Sequence, residues 1–82
     1  MGNNWLDSKV VGTLIRYERQ KAGLTQETLS GLAGIGRTHL SAIERGARLP
    51  TLETVFRICY ALQIDACELI REINKTITIN TL

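Results

Sequence analysis

An all-α domain of five helices is the fold that this 82-residue chain predicts. Through most of the chain, apolar residues recur at the three-to-four spacing of a helix face. The breaks between these stretches fall at Gly23, at Gly34 to Gly36 and at Pro50, residue types that end helices or turn the chain. Only the tail changes period.

The N-terminal residues Met1 to Leu6 read as a short arm. Asp7 can cap the first helix, with Leu6 and Val11 placed as a hydrophobic staple across the cap. Val11, Leu14, Ile15 and Ala22 mark one face of a helix running to about Ala22, and Lys9, Arg16 and Lys21 lie largely off it. Gly12 in mid-helix costs about 1 kcal/mol relative to Ala, which points to a close helix contact. Trp5 has two readings, a lid over the edge of the core or a partner contact, and the lid is the expectation.

Gly23 suits a position just past a helix end, and Thr25 is a good N-cap for a second helix that begins at Gln26. Leu29 and Ala33 recur on that helix, and Ser30 is small where two crossing helices would approach. Gly34 can take the positive φ that ends a helix in a sharp turn. Ile35 plugs the corner. A third helix follows Gly36, with Leu40 and Ile43 turned inward.

Pro50 ends the next loop, and Thr51 caps a fourth helix from Leu52 to Leu62. Leu52, Val55, Ile58 with Cys59, and Leu62 should face the core. Phe56 and Tyr60 lie on a different side, either as a broader apolar face or as a dimer contact, the latter being favoured. Asp65 caps a last helix to about Asn74, whose apolar Leu69, Ile70 and Ile73 are expected to form the second half of that interface. Residues 1–74 thus make one domain. In the tail, 75–82, Ile77, Ile79 and Leu82 alternate with Thr76, Thr78 and Asn80, a pattern that favours an extended strand. Such a strand is either disordered or pairs with its copy across a twofold axis, and pairing is the expectation.

Composition narrows the function classes. A chain this short, 44% hydrophobic, has one small core and modest stability, so oligomerisation is a natural supplement. With two Cys, one His and no CxxC or paired-His spacing, neither a disulfide framework nor a zinc site is supported. Cys59 on an apolar face and Cys67 near the start of the next helix are expected to be buried or part-buried free thiols, which suits a reducing cytoplasm. No apolar run approaches a membrane span and no leader pattern opens the chain, so a cytoplasmic protein is expected. No Ser/His/Asp or Cys/His arrangement and no phosphate-cradling Gly-rich loop is present, which argues against an enzyme and against a cofactor. The net charge of +2 is unevenly spread: seven basic and four acidic residues lie through Arg48, and three basic and four acidic follow. That polarity fits a phosphate-facing N-terminal half and a partner-facing C-terminal half.

The stretch from Gly23 to Gly46, GLTQETLSGLAGIGRTHLSAIERG, resembles the phage-repressor and Cro type of helix-turn-helix, the xenobiotic-response-element family, at LTQETL, at Ala33 to Ile35 and at LSAIERG. The likeness runs from about Val11 to Leu69. Within it, RTHLSAIER is similar to the small controller proteins of restriction–modification systems. The resemblance implies a five-helix, repressor-like DNA-binding domain with its helix-turn-helix at helices 2 and 3. It also implies a structural pairing of Arg19 with Glu44. Glu18 and Leu32 depart from the pattern, one polar where the family is apolar and the other the reverse; Leu14 or Tyr17 is expected to fill the gap at Glu18.

The DNA-contacting residues follow from helix geometry. Gln26, first in its helix, can offer its backbone N–H and side-chain amide to a phosphate, aided by the helix dipole. Arg37, Thr38 and Ser41 lie on the outward side of the recognition helix, with Ala42 beside them. Arg37 suits bidentate reading of guanine, Thr38 a hydroxyl or methyl contact, and Ala42 only an apolar one. His39 reads either as an imidazole near phosphate or as a base contact. Arg45, Arg48 and Thr51 surround the end of that helix and suit backbone contacts. One recognition helix reads only about four or five base pairs, so a homodimer on a palindromic operator is the expected form. Occupying a promoter would repress by exclusion, or activate if a surface meets RNA polymerase. The competing class is a protein-interaction module of the same fold, such as an antitoxin component.

Overall fold

Four of the five helices begin where a side chain caps them. In the computed structural model, which describes residues 5–81 and the side chains through residue 78, α1 spans Ser8–Lys21 and Asp7 accepts from the backbone N–H of Lys9 at 2.9 Å. Thr25 accepts from Thr28 at 3.0 Å to start α2, Gln26–Ala33. Thr51 does the same for α4, Leu52–Leu62, from Thr54 at 3.1 Å. Asp65 accepts from the N–H of Cys67 at 2.8 Å at the start of α5, Ala66–Thr81. Each cap satisfies one of the amide groups that a helix start leaves without a partner. α3, Arg37–Glu44, differs: it follows Gly36 with no side-chain cap.

The helices pack in pairs, α1 on α3 and α5, α2 on α3 and α4, and α4 on α5. Ile15, Leu29, Leu40, Ile43 and Ile58 are wholly buried where these pairs meet. Gly34, at φ 71°, ends α2 and turns the chain toward α3. Ile35 packs against the core as the corner plug.

Gly12 explains how α1 comes so close to α3. A Cβ there would collide with the backbone carbonyl of Ile43 and lie 2.8 Å from that of Glu44. Neither carbonyl can move without bending the end of α3, so the mid-helix glycine is the condition for the contact.

Several expectations are corrected. The tail is not a strand: α5 continues through Thr81. Leu69, Ile73 and Ile77 are spaced by four and all reach the core, so the helix period captures the apolar residues that suggested alternation. Thr76 fits this helix by donating its hydroxyl to the carbonyl of Glu72 at 2.9 Å. The side chain of Ile79, and all of Leu82, lie outside the described residues. Trp5 is no lid; it is 89% exposed. Ala22 is exposed at the C-cap of α1. Leu52, expected inside, is 64% exposed, because it is the first residue of α4 and lies on the face carrying Phe56 and Tyr60. Leu14 packs against the core, while Tyr17 stays exposed with the Lys21 ammonium over its ring. Cys67 is exposed and Cys59 buried. Among the described residues no helix is long and apolar enough to cross a membrane.

Two outcomes follow. Gly12→Ala should lower the unfolding free energy by about 1–3 kcal/mol, seen as a lower urea midpoint at unchanged slope. Burial, aided by the Glu18 and Asp65 carboxylates, pushes the Cys59 thiol up to about 11 from 9.0. Its thiol therefore favours the native state fully below about pH 9, where both states are protonated. That contribution is lost as the pH rises to about 11, because the unfolded chain ionises first. Urea titrations of Cys59→Ala should accordingly show a shallower loss of stability across that window than the parent protein, by up to about 2 kcal/mol.

Candidate nucleic-acid interface

The outward side of α3 is built by exclusion. Leu40 and Ile43 are wholly buried and Glu44 nearly so, which fixes the inner face of the helix. Arg37, Ser41 and Arg45, each one turn further on, therefore share the opposite side with Thr38. Arg37, Thr38 and Arg45 are exposed and Ser41 is half-buried. Since Gly36 brings no side-chain cap, the first N–H groups of α3 point out beside Arg37 with no capping side chain over them.

Ala42 does not belong to that stripe. It is 9% exposed, and its carbonyl accepts from the N–H of Ala47 at 2.9 Å as the chain folds back after the helix. One helical position separates it from Ser41, enough to turn it inward. His39 is half-buried on a side away from Arg37 and Ser41. Arg45, Arg48 and Thr51 are exposed around the far end of α3. The Thr51 hydroxyl is partly committed, since it caps α4 and lies 3.0 Å from Thr54 Oγ1.

The base of the site is an ion pair. Arg19 Nε lies 2.7 Å from Glu44 Oε2 and its NH2 donates to Oε1 at 2.9 Å, a two-pronged contact with little of either side chain exposed. The third guanidinium nitrogen donates to the carbonyl of Leu24 at 2.8 Å. The hydrogen bonds that Arg19 donates to Glu44 raise its pKa above the ordinary value, so the guanidinium stays charged throughout. Removing one partner alone would strand a buried charge, a loss of about 3–5 kcal/mol.

Gln26 joins this cluster. Its side-chain Nε2 donates to Glu44 Oε1 at 3.0 Å. The carboxylate thus fixes the direction of the amide, and one of its two amide hydrogens is not available to a phosphate as the sequence had suggested. The backbone N–H of Gln26 sits at the first position of α2, next to the cap.

The apolar residues assigned to an interface divide sharply. Leu69 and Ile73 are buried in the protomer's own core, Ile77 packs against that core, and Ile79 is undescribed beyond its backbone. These three core residues are withdrawn from the surface because α5 must cover α1 and α4. Phe56 is 53% exposed, Tyr60 85% and Ile70 44%. Leu52 extends the row on α4 at the same four-residue spacing, and that spacing was legible in the sequence. Arg57 was also missed. Its guanidinium pairs with Glu53 at 3.0 Å and crosses Gly34 so closely that a Cβ there would lie 2.9 Å from it. Nothing in the sequence marks that contact.

Comparison with known proteins agrees with this geometry. A helix-turn-helix family profile matches residues 15–69. An HTH-type transcriptional regulator of Sinorhizobium fredii is 35% identical over 68 residues, covering 83% of this chain and 88% of the relative. The ImmF control region 10 kDa protein of Bacillus phage phi105 is 38% identical over 60 residues, 73% of this chain and 67% of that protein. The crystal structure of the restriction-modification controller protein C.AhdI from Aeromonas hydrophila superposes with a TM-score of 0.75 at 35% identity, covering 79% of this chain and 98% of that one. By sequence, fold and the cap-and-turn geometry of α2 and α3, the chain belongs to the helix-turn-helix family of DNA-binding transcriptional regulators.

Proposed function

We propose that this protein is a sequence-specific repressor that binds a palindromic operator as a homodimer, with α3 of each protomer in the major groove. The observation that carries the reading is the stripe of Arg37, Thr38, Ser41 and Arg45 on a helix whose other side is locked into the core. Arg37, at the uncapped start of α3, is positioned to lead the helix into the groove and to meet guanine O6 and N7. Ser41 follows it one turn deeper. Gln26, through its backbone N–H and the amide hydrogen that Glu44 does not hold, together with Arg45, Arg48 and Thr51, holds the protein against the phosphates on either side of the groove. His39, turned away from the stripe, takes the role of a phosphate neighbour rather than a base contact.

The exposed row of Leu52, Phe56 and Tyr60 supports the twofold association. Aromatic anchors of this type dominate the energetics of protein interfaces. A dimer is also what specificity demands, because one helix reads too few base pairs to find a site in a genome. Bound across a promoter, such a dimer represses by excluding RNA polymerase.

A selected-site experiment tests the assignment of roles. Arg37→Ala should relax base preference at one position in each half-site, at a cost of about 1–3 kcal/mol against the preferred base, whereas Gln26→Ala should weaken all duplexes alike. Equal loss of preference in both variants would refute it. Sedimentation should find the parent chain dimeric and a Phe56→Ser/Tyr60→Ser double variant shifted to monomer by at least tenfold in dissociation constant, with helix content unchanged.

A further inference from the structure

The four ion pairs among the described residues engage Arg19, Lys21, Arg57 and Lys75. Apart from the α3 and loop arginines already discussed and Arg71 on α5, the cations that remain outside these pairs are Lys9 and Arg16, both on α1. These two lie seven residues apart and so on one side of the helix, with Thr13 and Gln20 between and beyond them; all four are exposed. No carboxylate shares this side. Glu18 faces away with Lys21, and Asp7 is occupied by its cap.

The direction of this stripe can be fixed from what surrounds α1. Val11 and Ile15 point into the core. Ser8, Gly12 and Arg19 touch α3 and its end: the Ser8 hydroxyl donates to the carbonyl of Gly46 at 2.8 Å, Gly12 abuts Ile43 and Glu44, and Arg19 pairs with Glu44. Around the helix the order is therefore core, then α3, then the Lys9 and Arg16 side. Beyond the α3 seam, moving away from the core, lies the side to which α3 itself presents Arg37, Ser41 and Arg45. Lys9 is held there, because its Cα and Cγ rest against Gly46 at distances that leave no room for a Cβ on the glycine.

We propose that Lys9 and Arg16 form a second phosphate-contacting surface, on α1, that grips the DNA backbone flanking the groove occupied by α3. The partner is the sugar–phosphate chain of the same duplex, and no base is read. The proposal rests on the DNA-binding mode given above. In it, α1 serves both as the strut behind α3 and as a clamp outside it, and the operator contact extends beyond the bases that α3 can reach.

The test is the salt dependence of duplex binding by the full chain. Lys9→Gln and Arg16→Gln keep much of each stem, and each should lower the slope of log affinity against log salt by about 0.9. Between 50 and 200 mM salt each variant should then lose about 3.5-fold less affinity than the parent. Base preference in selected sites should be unchanged, unlike that of Arg37→Ala. Arg71→Gln, on α5, is the control and should leave the slope as it is. Urea midpoints equal to the parent's would establish that folding is intact, and an Arg16→Gln slope, which does not involve Gly46, covers the case of a destabilised Lys9 variant. Parental slopes in both variants, or an equal fall in Arg71→Gln, would overturn the proposal. A parent chain with no salt-dependent duplex binding would instead overturn the DNA-binding mode on which it stands.

Discussion

The contact between Arg19 and Glu44 is the constraint on which the orientation of α3 depends. α3 is only eight residues long and has no side-chain cap at its start, so its own hydrogen bonds cannot hold it in place. The two-pronged ion pair fastens its last turn to α1, and Gln26 fastens the same carboxylate to the start of α2. Because the geometry is bidentate, α3 is fixed in rotation as well as in position. Gly12 makes that geometry reachable by letting α1 approach the carbonyls at the end of α3. A buried charge pair adds little net stability over an apolar contact of equal volume, but it tolerates few alternative arrangements. For the groove-binding role proposed for α3, that intolerance is the useful property.

Charge is then partitioned by the same architecture. Carboxylates on α1, α4 and α5 pair with cations three or four residues away on their own helices. Exposed pairs of this kind contribute little to stability, yet they neutralise the sides of the molecule away from α3. Apart from Arg71 on α5, the cations left outside such pairs lie on α1, on α3 and in the loop after it. A net charge of only +2 is therefore compatible with a strongly polarised molecule, since the field near a surface follows local arrangement rather than the sum.

The apolar surface obeys a parallel division. α5 covers the core with Leu69 and Ile73, and its extension through Ile77 lengthens that cover. α4 has only its inner side covered, so Leu52, Phe56 and Tyr60 remain outside. In a domain with a single small core, such a row is the surface that the proposed association would cover.

The helices, their caps and the turn were legible in the sequence because they depend on residues a few positions apart: Asp7, Thr25, Thr51 and Asp65 as caps, Gly34 as the turn, and Leu29, Leu40 and Ile58 by period. The pairing of Arg19 with Glu44 came from family likeness and not from spacing. What the tertiary structure decided is which side of a helix is covered, and by what. Ile77 alternates with threonines and reads as strand, yet it sits one turn beyond Ile73 and the core draws it into α5. Leu52 and Ala42 exchanged expected places, one outside and one inside, because the neighbouring element and not the residue's own polarity sets its burial. Local chemistry ends at the helix, whereas burial and charge pairing involve residues as distant in sequence as Arg19 and Glu44, and only the packed chain brings those together.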